Sequence, residues 1–133
     1  MNMSRGLRNN NPLNIRRNNT KWQGLAEVQG DKSFFTFKAP EWGYRAALRS
    51  LQNYERVHGL KTIREWVNRW APPCENDTEN YIRVVCKRTG MPEDAKPRIT
   101  NKVVMCSIVE AMSYMENGVA GNMDDIHKGW DLL

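Results

Sequence analysis

From residue 40 onward, proline, glycine and capping residues cut the sequence into apolar stripes of helical period, each too short to span more than a few turns. Pro40 suits a first helical position, and Tyr44, Ala47, Leu48, Leu51 and Tyr54 then share one face before Gly59. Thr62-x-x-Glu65 is a capping box opening a stripe of Ile63, Trp66, Val67 and Trp70, which "APP" halts. Asn76 or Asp77 can cap a third helix that buries Tyr81, Ile82 and Val85 and stops at Gly90. A longer helix is expected from about Arg98 through Val104, Ile108, Ala111, Met112 and Met115 to Asn117-Gly118. Ile126 and Trp130, four apart, mark a last short one. The expectation is a mainly α fold: one domain over 1–133, with helices filling 40–131.

The first third reads differently. Residues 5–24 are rich in asparagine and arginine, and Pro12 and Gly24 keep interrupting any period, so an ordered loop with at most a helical turn is expected. In "DKSFFTFKAP", Phe35 and Phe37 flank Thr36 in the alternation of an extended segment. A partner in "LAEVQ" would complete a small β-hairpin over 25–37, turning at Gly30-Asp31.

A chain of 133 residues with 40% hydrophobic residues and five tryptophans can bury a core, which argues against disorder. No apolar run approaches the roughly 20 residues of a membrane span. "MNMSRGLRNN" lacks the apolar core of a secretory signal, so synthesis in the cytoplasm is expected, with access to a cell wall only by export, release at lysis or carriage in a virion. A net charge of +5 suits polyanions such as nucleic acid, teichoic acid or acidic wall peptides, and equally suits plain solubility. Arg5, Arg8, Arg16 and Arg17 could meet phosphates, but no nucleic-acid motif accompanies them. Cys74, Cys86 and Cys106 have no CxxC spacing; neither a disulfide framework, a metal site nor a cofactor is expected, and Cys86 and Cys106 read as small core residues.

Several carboxylates stand out. Glu116 lies at a helix C-terminus, where the partial negative charge should tend to raise its pKa toward that of a general acid. By position alone, a solvated glutamate before a glycine cap is the commoner outcome. Glu75, in "WAPPCENDTENY", is needed by neither neighbouring helix, whereas Asp77 and Thr78 read as caps. Glu41 lies in a first helical turn, which favours its ionised form and a structural role. Trp22 in "KWQGL" could stack on a sugar ring, while Trp66 and Trp70 read as core. The asparagine amides of 9–14, with donors and acceptors both, could order the loop or face a polar ligand.

The ordered set "RGLRNNNPLNIRR", "KWQGL", "FFTF", "PEWGYRA" and "WAPPCENDTENYI" resembles a family found in phages, prophages and bacterial genomes, whose members are often labelled phage structural proteins and look lysozyme-like. "NNPLNIR…W-x-G…F-x-x-F" is similar to a segment of the lytic transglycosylase and glucosaminidase branch of the lysozyme superfamily. There, such a stretch lines the glycan groove and follows a helix that ends in a catalytic Glu-Ser-Gly type motif. Here Met115-Glu116-Asn117-Gly118 comes last and the asparagines first, the order of a circular permutation.

The resemblance implies a single lysozyme-like helical domain that cleaves peptidoglycan glycan as a muramidase or lytic transglycosylase. Glu116 would be its acid; Asn10, Asn11, Asn14 and Tyr81 would line the groove, and Trp22 would stack on a sugar. A transglycosylase needs no second carboxylate; a hydrolase would call on Glu75, ahead of Glu41. Two alternatives stand beside it: a non-catalytic virion or wall-binding structural protein, with virion proteins as partners, and a basic nucleic-acid-binding protein.

Overall fold

The computed structural model describes residues 3–133. Six helices run in order: α1 (Arg5–Arg8), α2 (Pro40–Arg56), α3 (Ile63–Trp70), α4 (Thr78–Thr89), α5 (Lys102–Asn117) and α6 (Met123–Asp131). The fold is mainly α, and the local signals explain most boundaries. Pro40 opens α2. At α3 the Thr62 hydroxyl accepts from the Glu65 amide at 3.1 Å, and the Glu65 carboxylate accepts from the Thr62 amide at 3.1 Å, a complete capping box. Asp77 caps α4, and Gly90 and Gly118 end α4 and α5 with φ of 73°, a conformation costly for any residue with a Cβ.

Two expected boundaries shift. The helix expected from about Arg98 begins at Lys102, because the Asn101 side chain accepts from the Val104 amide at 3.0 Å and the Asn101 amide closes a turn onto the Arg98 carbonyl. The β-hairpin expected over 25–37 is reduced to isolated antiparallel bridges, Leu25 with Phe37 and Arg16 with Phe34. Side chains replace the missing ladder. The Gln29 amide donates to the Ala26 and Thr36 carbonyls and accepts from the Thr36 amide, all at 2.8–2.9 Å. Segment 33–38 thus lies between 15–17 and 24–26 as a small irregular platform.

The core is formed by Leu48 and Leu51 of α2, Trp66 of α3, Val85 of α4, Met105, Ile108 and Met112 of α5, and Ile126 of α6, with Leu13, Phe35 and Phe37 joining from the platform. Burying a side chain of this size contributes about 1.5–3 kcal/mol. Helix α2 crosses α6 where a Cβ on Gly129 would lie 2.9 Å from the Glu41 carbonyl oxygen and the Arg45 amide nitrogen, so these backbones touch. Helix α5 packs on α4, α6 and α2, which fixes its C-terminal end beneath the asparagine-rich loop.

Two expectations for the core need correction. Trp70 is half-buried at the end of α3, because the chain turns away at Ala71 and leaves one face of the indole open, and Cys86 is likewise half-buried on α4. Cys106 is fully buried. No described helix is long and apolar enough to cross a membrane.

Candidate functional site

The asparagine run is a set of brackets, each with its own partner. Asn9 donates to Asp31 at 3.0 Å and accepts from the Thr36 hydroxyl. Asn10, at φ 52°, donates to the Phe37 carbonyl at 3.0 Å. Asn11 is completely buried; its amide donates to the Ile15 and Phe35 carbonyls and accepts from the Ile15 amide, at 2.9–3.0 Å. This corrects the expectation that Asn11 lines a groove: the side chain faces the interior and spends its polar atoms on backbone that would otherwise be buried unpaired. The Asn10 amide is likewise committed to the platform.

Asn14 does something else. Also at φ 52°, it donates across 102 residues of sequence to Glu116 Oε1 at 2.9 Å. The Tyr81 hydroxyl, from α4, donates to Glu116 Oε2 at 3.0 Å. Among the described residues no cation lies within ion-pairing distance of Glu116. Burial raises the Glu116 pKa, and the hydrogen bonds from Asn14 and Tyr81 offset only part of that rise. Burial, followed by the charge of Glu116, holds the Tyr81 phenol well above its ordinary value, so it stays a donor. Two donors occupy two of the carboxylate's roughly four lone-pair sites. A carboxyl group that keeps its proton above the usual range, aimed by two neutral donors, can act as a general acid.

Asn117 and Gly6 make this meeting possible. Asn117 donates to the Pro12 carbonyl at 2.8 Å and to the Ser113 carbonyl at 2.9 Å, while accepting from the Ser4 hydroxyl at 2.6 Å, so it ties the N-terminal segment to the end of α5. A Cβ on Gly6 would lie 2.8 Å from the Asn11 carbonyl oxygen and from Asn14 Oδ1, which leaves room only for glycine. Asn14 Oδ1 is buried there without a hydrogen-bond partner among the described residues. A left-handed non-glycine residue with an orphaned acceptor is a strained arrangement of the kind found at functional sites.

On the other side of Asn14 lies a cleft of about 380 Å³ between the loop 14–22 and the last turns of α2 and α3. Trp22, Tyr54 and Trp70 supply aromatic wall, and Asn53, His58 and Arg16 supply polar groups. Trp22, expected to stack on a sugar, lines this cleft. Sequence reasoning placed Tyr54 and Trp70 on buried helix faces rather than in a cleft, and did not single out Asn53 or His58. The available signal was a polar stripe, Ser50, Asn53, Tyr54 and His58, whose spacing keeps it on one side of the end of α2.

Glu75 is exposed in the turn between α3 and α4, with the Arg16 guanidinium 3.8 Å away and no hydrogen bond to Glu116 among the described residues. Arg5, Arg8, Arg16 and Arg17 are all exposed, and three of them bond within the chain. Arg5 makes a two-point bond to Asp31 at 2.6 and 2.7 Å, Arg17 donates to the Asp31 carbonyl, and Arg8 donates to the Met3 carbonyl. Among the described residues no group of three or more histidine, cysteine, aspartate or glutamate side chains is placed to hold a metal ion.

Over 132 residues the chain is 42% identical to "Protein P5" of Pseudoalteromonas phage PM2, a match that covers 96% of this chain and 81% of that protein. No model of a protein family matches it.

Proposed function

The chain belongs to the same phage protein family as Protein P5 of Pseudoalteromonas phage PM2, and from the setting of Glu116 we propose that it acts on the bacterial cell wall, cleaving the β-1,4 glycan of peptidoglycan with Glu116 as proton donor. The observation that carries this reading is the Glu116 carboxyl, raised in pKa by burial and held between Asn14 and Tyr81 beside an aromatic-walled cleft. In this reading the fold is a lysozyme-like core in permuted order, with the asparagine loop brought beside the helix-ending Glu-Asn-Gly.

The chemistry needs one acid at its first step. Glu116 protonates the glycosidic oxygen as the bond from that oxygen to the anomeric carbon breaks, and becomes a carboxylate. In a transglycosylase that carboxylate takes the proton of the muramoyl 6-hydroxyl, whose oxygen bonds the anomeric carbon and closes an anhydro ring. In a hydrolase a second carboxylate assists water or forms a covalent bond, and Glu75, 3.8 Å from the cleft-lining Arg16, is the candidate. Asn14 and Tyr81 act here as positioning residues. The protein would reach the wall when released at lysis or carried in a virion.

A second reading has its own support. The relative is a phage protein, and a virion or wall-binding structural protein would retain the same fold and cleft without turnover. Digestion of purified peptidoglycan by the native protein and by Glu116→Gln, with products weighed by mass spectrometry, separates the two. Anhydro-muropeptides from the native protein alone indicate a transglycosylase; reducing-end products from it alone indicate a hydrolase. Release of nothing by either protein moves the structural reading into first place.

A further inference from the structure

We propose that the cleft beside Asn14 is a binding site for an acidic saccharide, and that it selects a peptide-bearing muramoyl unit over a neutral amino sugar. This rests on the reading of the chain as a peptidoglycan-directed protein and adds to it the substrate feature the cleft recognises.

Two observations point to a saccharide. Trp22, Tyr54 and Trp70 meet in one cleft, with the Tyr54 and Trp70 rings edge-on at 6.3 Å, and the apolar face of a sugar packs on such rings. Polar groups there are unspent: among the described residues the Asn53 amide makes no side-chain hydrogen bond, and the Trp22 indole nitrogen is buried with no acceptor. A buried donor without a partner costs stability unless a ligand or water supplies one.

The charge points to an acid. Arg16 and His58 line the cleft, and among the described residues no carboxylate does. The Arg69 guanidinium stands behind them, 3.3 Å from His58 Nε2 and 5.4 Å from the centre of the Tyr54 ring. The Arg16 side chain is 69% exposed and 3.8 Å from an equally open Glu75, a pair that holds little in water. A ligand carboxylate can therefore displace Glu75 and take the Arg16 fork. The stem peptide, amide-linked to the muramoyl lactyl group, carries free carboxylates of its own, whereas chitin-type glycans carry none. Asn14 both lines this cleft and bonds Glu116, so a sugar seated here lies to one side of the acid.

The test uses the full chain carrying Glu116→Gln, which prevents turnover, titrated calorimetrically with a peptidoglycan tetrasaccharide bearing its stem peptides and separately with chitotetraose. The peptide-bearing ligand should bind about tenfold tighter or more at low salt, the worth of one hydrogen bond to a charged group, with the advantage shrinking as salt rises. Adding Arg16→Gln should remove the advantage, Glu75→Gln should enlarge it by removing the competitor, and Trp70→Ala should weaken both ligands. Equal affinity for the two ligands, an advantage that survives Arg16→Gln, or binding of neither would overturn the proposal. A chain that shows the preference but never cleaves peptidoglycan leaves this site standing and removes the catalytic reading instead.

Discussion

Asn9 and Asn14 each donate an amide hydrogen to a carboxylate, Asn9 to Asp31 at 3.0 Å and Asn14 to Glu116 at 2.9 Å, yet the pKa values of the two acids are pushed in opposite directions. Asp31 also receives the Arg5 guanidinium and the Ser33 and Phe34 amides, and these donors, Arg5 first, hold it well below the usual carboxylate range. Glu116 receives only neutral donors, and burial pushes it up. The same loop therefore has one end bonded to a carboxylate of lowered pKa and another bonded to one of raised pKa. What separates them is whether a positive charge accompanies the hydrogen bonds.

The largest expected effect breaks the reactive end alone. Glu116→Gln should lower peptidoglycan cleavage by about 10²–10⁴-fold, the worth of a general acid, while the folded spectrum by circular dichroism stays native. A variant that still cleaves at the native rate would remove Glu116 from the mechanism. The next largest should disturb both ends together. Asn11→Ala strips partners from the Ile15 amide and from the Ile15 and Phe35 carbonyls. A loss of about 3 kcal/mol is expected, seen as a melting temperature roughly 10 °C lower; an unchanged melting temperature would mean that these groups find water.

Smaller effects sharpen the contrast. Tyr81→Phe removes a donor that lowers the Glu116 pKa. The limb of the cleavage profile that reports this acid should move to higher pH, and the rate should fall by about tenfold, the worth of one hydrogen bond; a rate loss with no movement would assign Tyr81 to packing. Stability against pH should then show mirror images. Asp31 has a lowered pKa, so its stabilisation is present above the unfolded value near 4 and fades as pH falls below it. Asp31→Asn should be less stable than the native protein at pH 7 and converge with it in acid. Glu116 has a raised pKa, so its contribution is most favourable below the unfolded value and declines as pH rises toward the folded one. Glu116→Gln should be the more stable protein at pH 7 and lose that advantage in acid. Urea midpoints across pH 3–8 measure both, and parallel curves for either variant would contradict the assignment of its acid.

The helical punctuation was legible because it is local. A capping box, a first-position proline and a left-handed glycine act within four residues, so Thr62, Glu65, Pro40, Gly90 and Gly118 stand where the sequence implies. The hairpin was misjudged because Gln29 and Asp31 side chains do what a backbone ladder was expected to do. Asn10 and Asn11 looked like ligand groups because an amide that solvates its own backbone and one that greets a ligand have the same letter. Trp70 was placed in the core because its stripe position is apolar, whereas its exposure depends on where the chain turns after α3.

By itself, then, the sequence determined the mainly α character, the helix ends, most of the core and, through its ordered motifs, a resemblance to phage proteins. Those features follow from periodicity and from bonds that close within a turn. Only the tertiary structure decided which asparagine of four reaches Glu116, that Tyr81 meets the same carboxylate from α4, and that Tyr54, His58 and Trp70 share a cleft. The two Glu116 bonds join residues 102 and 35 positions apart, and their geometry is set by how α5 docks under a loop that glycine at position 6 lets approach.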